Sequence, residues 1–199
     1  MLNSEQKQQK RKAIAKSTCT LFIEKGYVNI TISEIAKNAQ IGKGTVYEYF
    51  KNKEEIIFEL MVCLQEDYDP KLKQKLESNM TTKEKVLSLF DIYLGNDEIV
   101  LIQRKIYKEY LSIFMSNKTD EMIRFHTIMM QKYSSILEEI FKKAIENNEL
   151  SSISLKMIPS IFATMEGFFI SDEKQTVLYE YFDTLFILLE NNSSEKGKL

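Results

Sequence analysis

The sequence predicts an all-α protein, and three features of it do so. Only 6 Gly and 2 Pro occur in 199 residues, too few for the turns that an all-β fold needs. Leu, Lys, Glu and Ile fill the chain instead, in long stretches with apolar residues at helical spacing. Helix-start signatures, a Thr or Asn followed three residues later by Glu, recur at Thr31/Glu34, Asn52/Glu55 and Thr81/Glu84.

Taken in order, Ile14, Leu21 and Phe22 share one face of a first helix expected over roughly residues 5–25. Gly26 ends it as the residue able to take a positive φ, and Tyr27 falls where a hydrophobic contact back to Phe22 closes the motif. Ile30-Thr31-Ile32-Ser33-Glu34-Ile35 then combines a capping box (Thr31, Glu34) with a hydrophobic staple (Ile30, Ile35), so a second helix starts there and ends near Ala39. Gly42 caps a third, Lys43 to Phe50, whose Val46 and Phe50 lie on one face at i, i+4. Asn52 caps a fourth with Ile56, Ile57, Leu60, Met61 and Leu64 as its buried stripe, and Asp69-Pro70 is expected to end or kink it. Further amphipathic helices are expected from Thr81 to about Leu94 and over roughly 98–116, 120–147, 155–170 and 174–190. Gly95 and polar stretches form the joints, and the tail 191–199 reads as disordered.

The net charge of −2 conceals a division along the chain. Residues 1–53 carry ten Lys/Arg against four Asp/Glu, whereas residues 54–199 carry seventeen against twenty-five. A basic head on an acidic body suits a nucleic-acid-binding unit joined to a regulatory one, although charge alone equally fits a solvated basic arm. Cys19 and Cys63 sit in apolar helical patterns without metal-ligand spacing, which points to small buried hydrophobes. Lys12 and Lys16 interrupt the only N-terminal candidate for a signal peptide. The apolar run Met157–Ile170 is short for a membrane span and contains Glu166, so a cytoplasmic protein is expected. One His, no phosphate-binding glycine loop and no Cys–His pair argue against an enzyme, and no cofactor or metal is implied.

Two short helices joined by a tight turn and packed on a preceding helix make a helix-turn-helix. The second helix of such a pair enters the major groove and meets base edges with its N-terminal residues. Here that end reads Gly42-Lys43-Gly44-Thr45-Val46-Tyr47. Glycine lets backbone approach DNA closely, and free N–H groups at the helix start face phosphate. Lys43 reaches a guanine edge or a phosphate, and Thr45 offers a methyl or a hydroxyl to a base, while Val46 and Phe50 point into the core. Tyr49 is read at even odds as half core, Thr31 as cap as well as contact, and Lys53 as contact or solvated charge. Glu48 on the same helix is expected to be solvated or salt-bridged within the protein, since it would repel phosphate.

Over residues 11–60 the chain resembles the TetR-like (TetR/AcrR family) transcriptional regulators. The resemblance runs through Leu21-Phe22, Gly26-Tyr27, Thr31, Glu34-Ile35-Ala36, Ala39, Lys43-Gly44-Thr45, Tyr47, Tyr49-Phe50 and Lys53-Glu54. It implies an N-terminal three-helix helix-turn-helix domain plus a C-terminal antiparallel helical bundle that dimerises. The corresponding division is a DNA-binding domain at 1–52 and a ligand-binding and dimerisation domain at 53–190, with 53–79 as the connecting helix. It implies a homodimer on a double-stranded DNA operator, with a small-molecule inducer. By position it assigns DNA contact to Thr31, Lys43, Gly44, Thr45, Tyr47, Tyr49 and Lys53. Two departures stand out: Gln40 where the family commonly has Gly, and Gly42 where a Ser-like cap is common. A non-Gly residue in a left-handed conformation costs about 1–2 kcal/mol, so the turn is expected to be drawn differently at Gln40.

Residues 82–190 hold fifteen of the 22 aromatic residues. Tyr93, Tyr107, Tyr110, Phe114, Phe125, Met129, Met130, Tyr133, Met165, Phe168 and Phe169 are candidates to line a cavity for a flat apolar ligand. Glu109 or Glu166 would balance a cationic one. For any one of these residues, plain core packing is the favoured reading. His126 is read as packed or surface rather than as a metal ligand. Gly167 admits close helix packing, and Ala163, Gly167, Tyr181 and Leu185 are assigned to the dimer interface by analogy with the last two helices of similar proteins. The function expected is a repressor released by a small apolar or aromatic ligand. The alternative is a DNA binder whose C-terminal domain takes a protein partner.

Overall fold

The computed structural model describes residues 3–116 and 118–190; the tail expected to be disordered, 191–199, lies outside them. Eleven helices follow one another among the described residues: α1 Ser4–Ser17, α2 Cys19–Asn29, α3 Ile32–Asn38, α4 Lys43–Tyr49, α5 Lys53–Glu77, α6 Thr82–Leu89, α7 Asp91–Leu94, α8 Glu98–Ser116, α9 Asp120–Glu146, α10 Ile153–Ile170 and α11 Gln175–Leu189. No strand occurs among them; one isolated bridge pairs Leu150 with Glu190. The all-α fold follows the sequence closely, and the capping boxes at Thr31/Glu34 and Thr81/Glu84 both form.

Two elements depart from expectation, and at a third one of two expected outcomes is excluded. The first helix is broken at Thr18, whose buried hydroxyl donates to the Ala15 carbonyl at 2.6 Å and offers the chain an alternative to straight helix. Of the two outcomes expected at Pro70, an end or a kink, the end does not occur: α5 continues to Glu77. The helix expected from Thr81 to Leu94 is split at Phe90, which takes φ −103° and ψ 19° while its ring is buried.

The chain forms two compact units. Among the described residues the first comprises those up to 70 and those from 97 to 125, the second those from 71 to 96 and from 126 to 190. In the first unit Ile14, Ala15, Phe22, Ile35, Ala36, Val46, Phe50, Ile56, Ile57 and Leu60 make a single apolar core beneath α1 to α5. Each buried Ile, Leu, Val or Phe among them contributes roughly 1.5–3 kcal/mol. α8 packs along α2 in the same unit. Burial raises the Cys19 thiol, and burial with Glu59 beside it pushes Cys63 up to about 11, so both stay protonated as small apolar groups.

In the second unit Phe90 meets the rings of Tyr93, Phe162 and Phe182 at centroid distances of 5.2–6.2 Å. The Gln175 amide donates to the Leu94 carbonyl at 3.1 Å and ties α11 to the end of α7. The helices α9 and α10 close on Asn148 (φ 59°) and Asp172 (φ 56°), the residue types that tolerate a left-handed turn. α10 is, by length and composition, apolar enough to cross a membrane, yet only 28% of it is buried within the chain.

Gln40 adopts φ 55°, so the turn between α3 and α4 keeps the left-handed step that glycine would make more easily. The Ile41 N–H donates to the Ala36 carbonyl at 3.0 Å across it, which compensates the strain. Replacing Gln40 by Gly is expected to raise unfolding free energy by about 1 kcal/mol, read by urea titration. A lower midpoint would show that the glutamine is not strained.

Candidate nucleic-acid interface

α4 has only seven residues and owes its place to two anchors: Val46 is wholly buried and Phe50, its C-cap, is 2% exposed. Between them the helix turns Lys43, Gly44 and Glu48 outward, and Tyr47 stands 52% exposed. Thr45 and Tyr49 are half-buried at the edge of that face. Gly42 caps the helix in an extended conformation without a side-chain bond, which leaves the first N–H groups open to an anion. Lys43 makes no hydrogen bond or ion pair among the described residues. An ideal Cβ built on Gly44 meets no protein atom within 4 Å.

The start of α3 lies on the capping box. Thr31 Oγ1 accepts from the Glu34 N–H at 3.2 Å, and the Glu34 carboxylate accepts from the Thr31 N–H and hydroxyl, both at 2.9 Å. Lys25 sits 2.6 Å from the same carboxylate and, with these bonds, lowers its pKa to about 2.

Lys53 is turned inward. Its ammonium donates to the carbonyls of Tyr27 at 2.5 Å and Ile30 at 2.7 Å, and lies 4.2 Å from the centre of the Tyr27 ring. Desolvation there lowers its pKa below the usual lysine range, against the opposing pull of Glu54 and Glu34. Burial, and then the neighbouring Glu54 carboxylate, raise the pKa of the Tyr27 phenol and hold it protonated. From the pattern alone Lys53 reads as a phosphate contact or a solvated charge; in the fold it clamps residues 27–30 in front of α3.

Two side chains that fix these elements have no local signature. Arg11 donates to Glu59 at 3.2 Å and to the Tyr49 carbonyl, and its guanidinium lies 4.3 Å over the Phe50 ring, so α1 fixes the end of α4. Glu109 on α8 accepts the Tyr27 N–H at 2.6 Å. These pairs are separated by 38 to 82 residues, beyond any motif.

An exposed, glycine-opened, basic helix start behind a clamped capping box is the geometry of a DNA-reading helix-turn-helix. Residues 14–60 match the family model described as bacterial regulatory proteins, tetR family. The chain belongs to the TetR family. Among curated relatives, the fatty acid metabolism regulator protein of Bacillus subtilis is 27% identical over 149 residues, covering 73% of each chain. The regulator QacR of Staphylococcus aureus is 26% identical over 129 residues, 65% of this chain and 67% of its own. A TetR-family regulator from Cytophaga hutchinsonii superposes with TM-score 0.73 at 20% identity, covering 96% of this chain and 98% of that one. These relatives are named as transcriptional regulators, and TetR-family regulators bind DNA operators and dimerise.

The ligand candidates fall in both units. In the first, Tyr107 and Tyr110 are buried, and Tyr110 meets Phe58, Phe114 and Phe125 ring to ring at 5.7–6.0 Å. In the second, Tyr93 and Met165 are buried, Phe169 packs edge-on to Tyr93 at 5.0 Å, and Met129 and Tyr133 are half-buried. Glu166 lies 3.5 Å from His126 Nε2. Of the dimer candidates, Ala163 and Gly167 are exposed and Tyr181 is half-buried against Phe168. Leu185 is 5% exposed and packs into its own subunit; the outward apolar residues of α11 are Tyr179, Ile187 and Leu188.

Because Gly44 has open space around it, Gly44→Ala should leave the fold intact and stabilise α4 by roughly 0.5–1 kcal/mol. Operator affinity should nonetheless fall if the missing Cβ is what admits the DNA backbone. A variant that melts higher and binds DNA as wild type does would remove Gly44 from the interface.

Proposed function

We propose that the chain is a dimeric, sequence-specific repressor that leaves its operator when a small apolar or aromatic ligand enters the helical body. The observation that carries the DNA half is the outward face of α4: Lys43, Gly44, Thr45 and Tyr47 exposed or at its edge, with Val46 and Phe50 buried behind them. Lys43 and Thr45 read base edges, Tyr47 and Tyr49 flank them, and Thr31 meets backbone phosphate at the start of α3. Lys53 serves by holding the loop before α3.

The dimer reading is supported by α10 and α11. A helix so apolar and only 28% buried wants a cover, and Ile170, Ile187 and Leu188 are 53%, 64% and 72% exposed. Gly167 leaves room on the same helix for a close neighbour. The similarity to a fatty acid metabolism regulator supports an apolar ligand and a role in that metabolism. The ring-to-ring filling around Tyr110 favours, as a second reading, a body that binds a protein partner in place of a small molecule.

An operator selected from a random duplex library provides the test. Lys43→Ala is expected to weaken it by about 1–3 kcal/mol and relax preference at one base pair, and Tyr47→Ala to weaken it as well. A double variant binding within twofold of wild type would sink the assignment. Adding fatty acids of graded length, or flat aromatic compounds, to the wild-type complex should release DNA; release by none of them turns the argument to the protein-partner reading. In sedimentation the wild-type chain should run as a dimer at micromolar concentration, and Ile187→Lys with Leu188→Lys as a monomer. A monomeric wild type would overturn the dimer.

A further inference from the structure

We propose that Glu109 is a positioning residue of the DNA-reading head. Its carboxylate, set into the notch where Gly26 lacks a side chain and accepting the Tyr27 N–H, fixes the chain from which α3 starts. The inference rests on the DNA-binding role of α3 and α4 given above.

The notch is a consequence of backbone geometry. Gly26 takes φ 71° and ψ 157°, a conformation that interrupts α2 and turns the Tyr27 N–H out of its ladder. That donor needs a partner, and Glu109 Oε2 supplies one at 2.6 Å from a helix 82 residues further along the chain. The bond is short and charge-assisted, a class about twice as strong as a neutral one. A Cβ on Gly26 would stand 3.3 Å from Oε2 and 3.4 Å from Oε1. Glycine is thus favoured by the dihedral, and a larger residue would also have to push the carboxylate back by a few tenths of an ångström.

From Tyr27 the contact continues without a gap. Its ring lies under the Lys53 ammonium at 4.2 Å, its carbonyl takes one Lys53 bond, and the Ile30 carbonyl takes another at 2.7 Å. The residue after Ile30 is Thr31, the N-cap of α3. Four linked contacts therefore run from α8 to the helix that supports α4. On α8 the neighbours of Glu109 include buried Tyr107 and Tyr110. A slide of α8 by about 1 Å carries the 2.6 Å bond out of hydrogen-bonding range. The position of α8 and the set of α3 are thereby made one variable.

The test uses the full chain and its selected operator, with Glu109→Ala and Glu109→Gln compared by DNA affinity and by hydrogen exchange at the Tyr27 amide. Glu109→Ala should bind about tenfold more weakly and exchange that amide about tenfold faster. Glu109→Gln, which keeps an acceptor oxygen, should recover most of both. If the alanine variant does not fold, Glu109→Asp, one methylene short of the amide, should show the same paired losses. Wild-type affinity in Glu109→Ala, or a glutamine variant as poor as alanine, overturns the proposal. A wild-type chain that selects no DNA overturns the reading beneath it instead.

Discussion

A seven-residue helix cannot hold itself. Isolated helices below about 12–15 residues are marginal in water, so α4 exists because Val46 and Phe50 are taken into a core that α1, α3 and α5 supply. Everything the interface offers follows from that burial. Fixing two positions four apart fixes the helix in rotation, which sends Lys43, Gly44 and Tyr47 to the surface with no further specification. Arg11 then closes the far end, bonding the Tyr49 carbonyl that the end of the helix leaves unpaired and lying over Phe50.

Burial sets the rotation of α4, whereas polar clamps set its height. The break at Gly26 frees backbone groups of the residues that follow it, and two charged side chains from distant elements satisfy them: Glu109 takes the Tyr27 N–H, and Lys53 takes carbonyls as far as Ile30. Each would be costly to leave unmet at a half-buried site. The short stretch from Tyr27 to Ile30 is in this way tied to two distant elements before α3 begins.

The parts legible in the sequence are those governed by interactions three or four residues apart. The Thr31/Glu34 and Thr81/Glu84 boxes, the Gly42 cap and the Val46/Phe50 face are all of this kind, and each stands within a residue of expectation. At Asn52 the logic shifted by one: Asn52 accepts from the Glu55 N–H, while Glu55 returns to Lys51 instead of Asn52. The break at Thr18 escaped notice because it turns on a balance that tertiary packing decides. Arg11 carries no local signal, and Glu109 reads from sequence only as a counter-charge to a cationic ligand, because their partners lie 38 and 82 residues away. The inward turn of Lys53 has the same origin, since the carbonyls it meets become a site only once Gly26 has bent the chain.

The clamps also change what the head's charge means. Of the ten basic residues in 1–53, Arg11 and Lys53 are committed to half-buried bonds that DNA cannot borrow without loosening the interface. Lys12 and Lys16 pair with Glu66 and Asp67, and Lys25 with Glu34, in exposed contacts of the kind worth roughly 0–1 kcal/mol. Those are weak enough to be exchanged for phosphate. Lys7, Lys10, Lys37 and Lys43 are exposed. The salt dependence of binding counts phosphates neutralised, at roughly 0.9 per contact. It must therefore fall short of what ten charges per subunit suggest, because part of the basic character of this head is spent on holding its own shape.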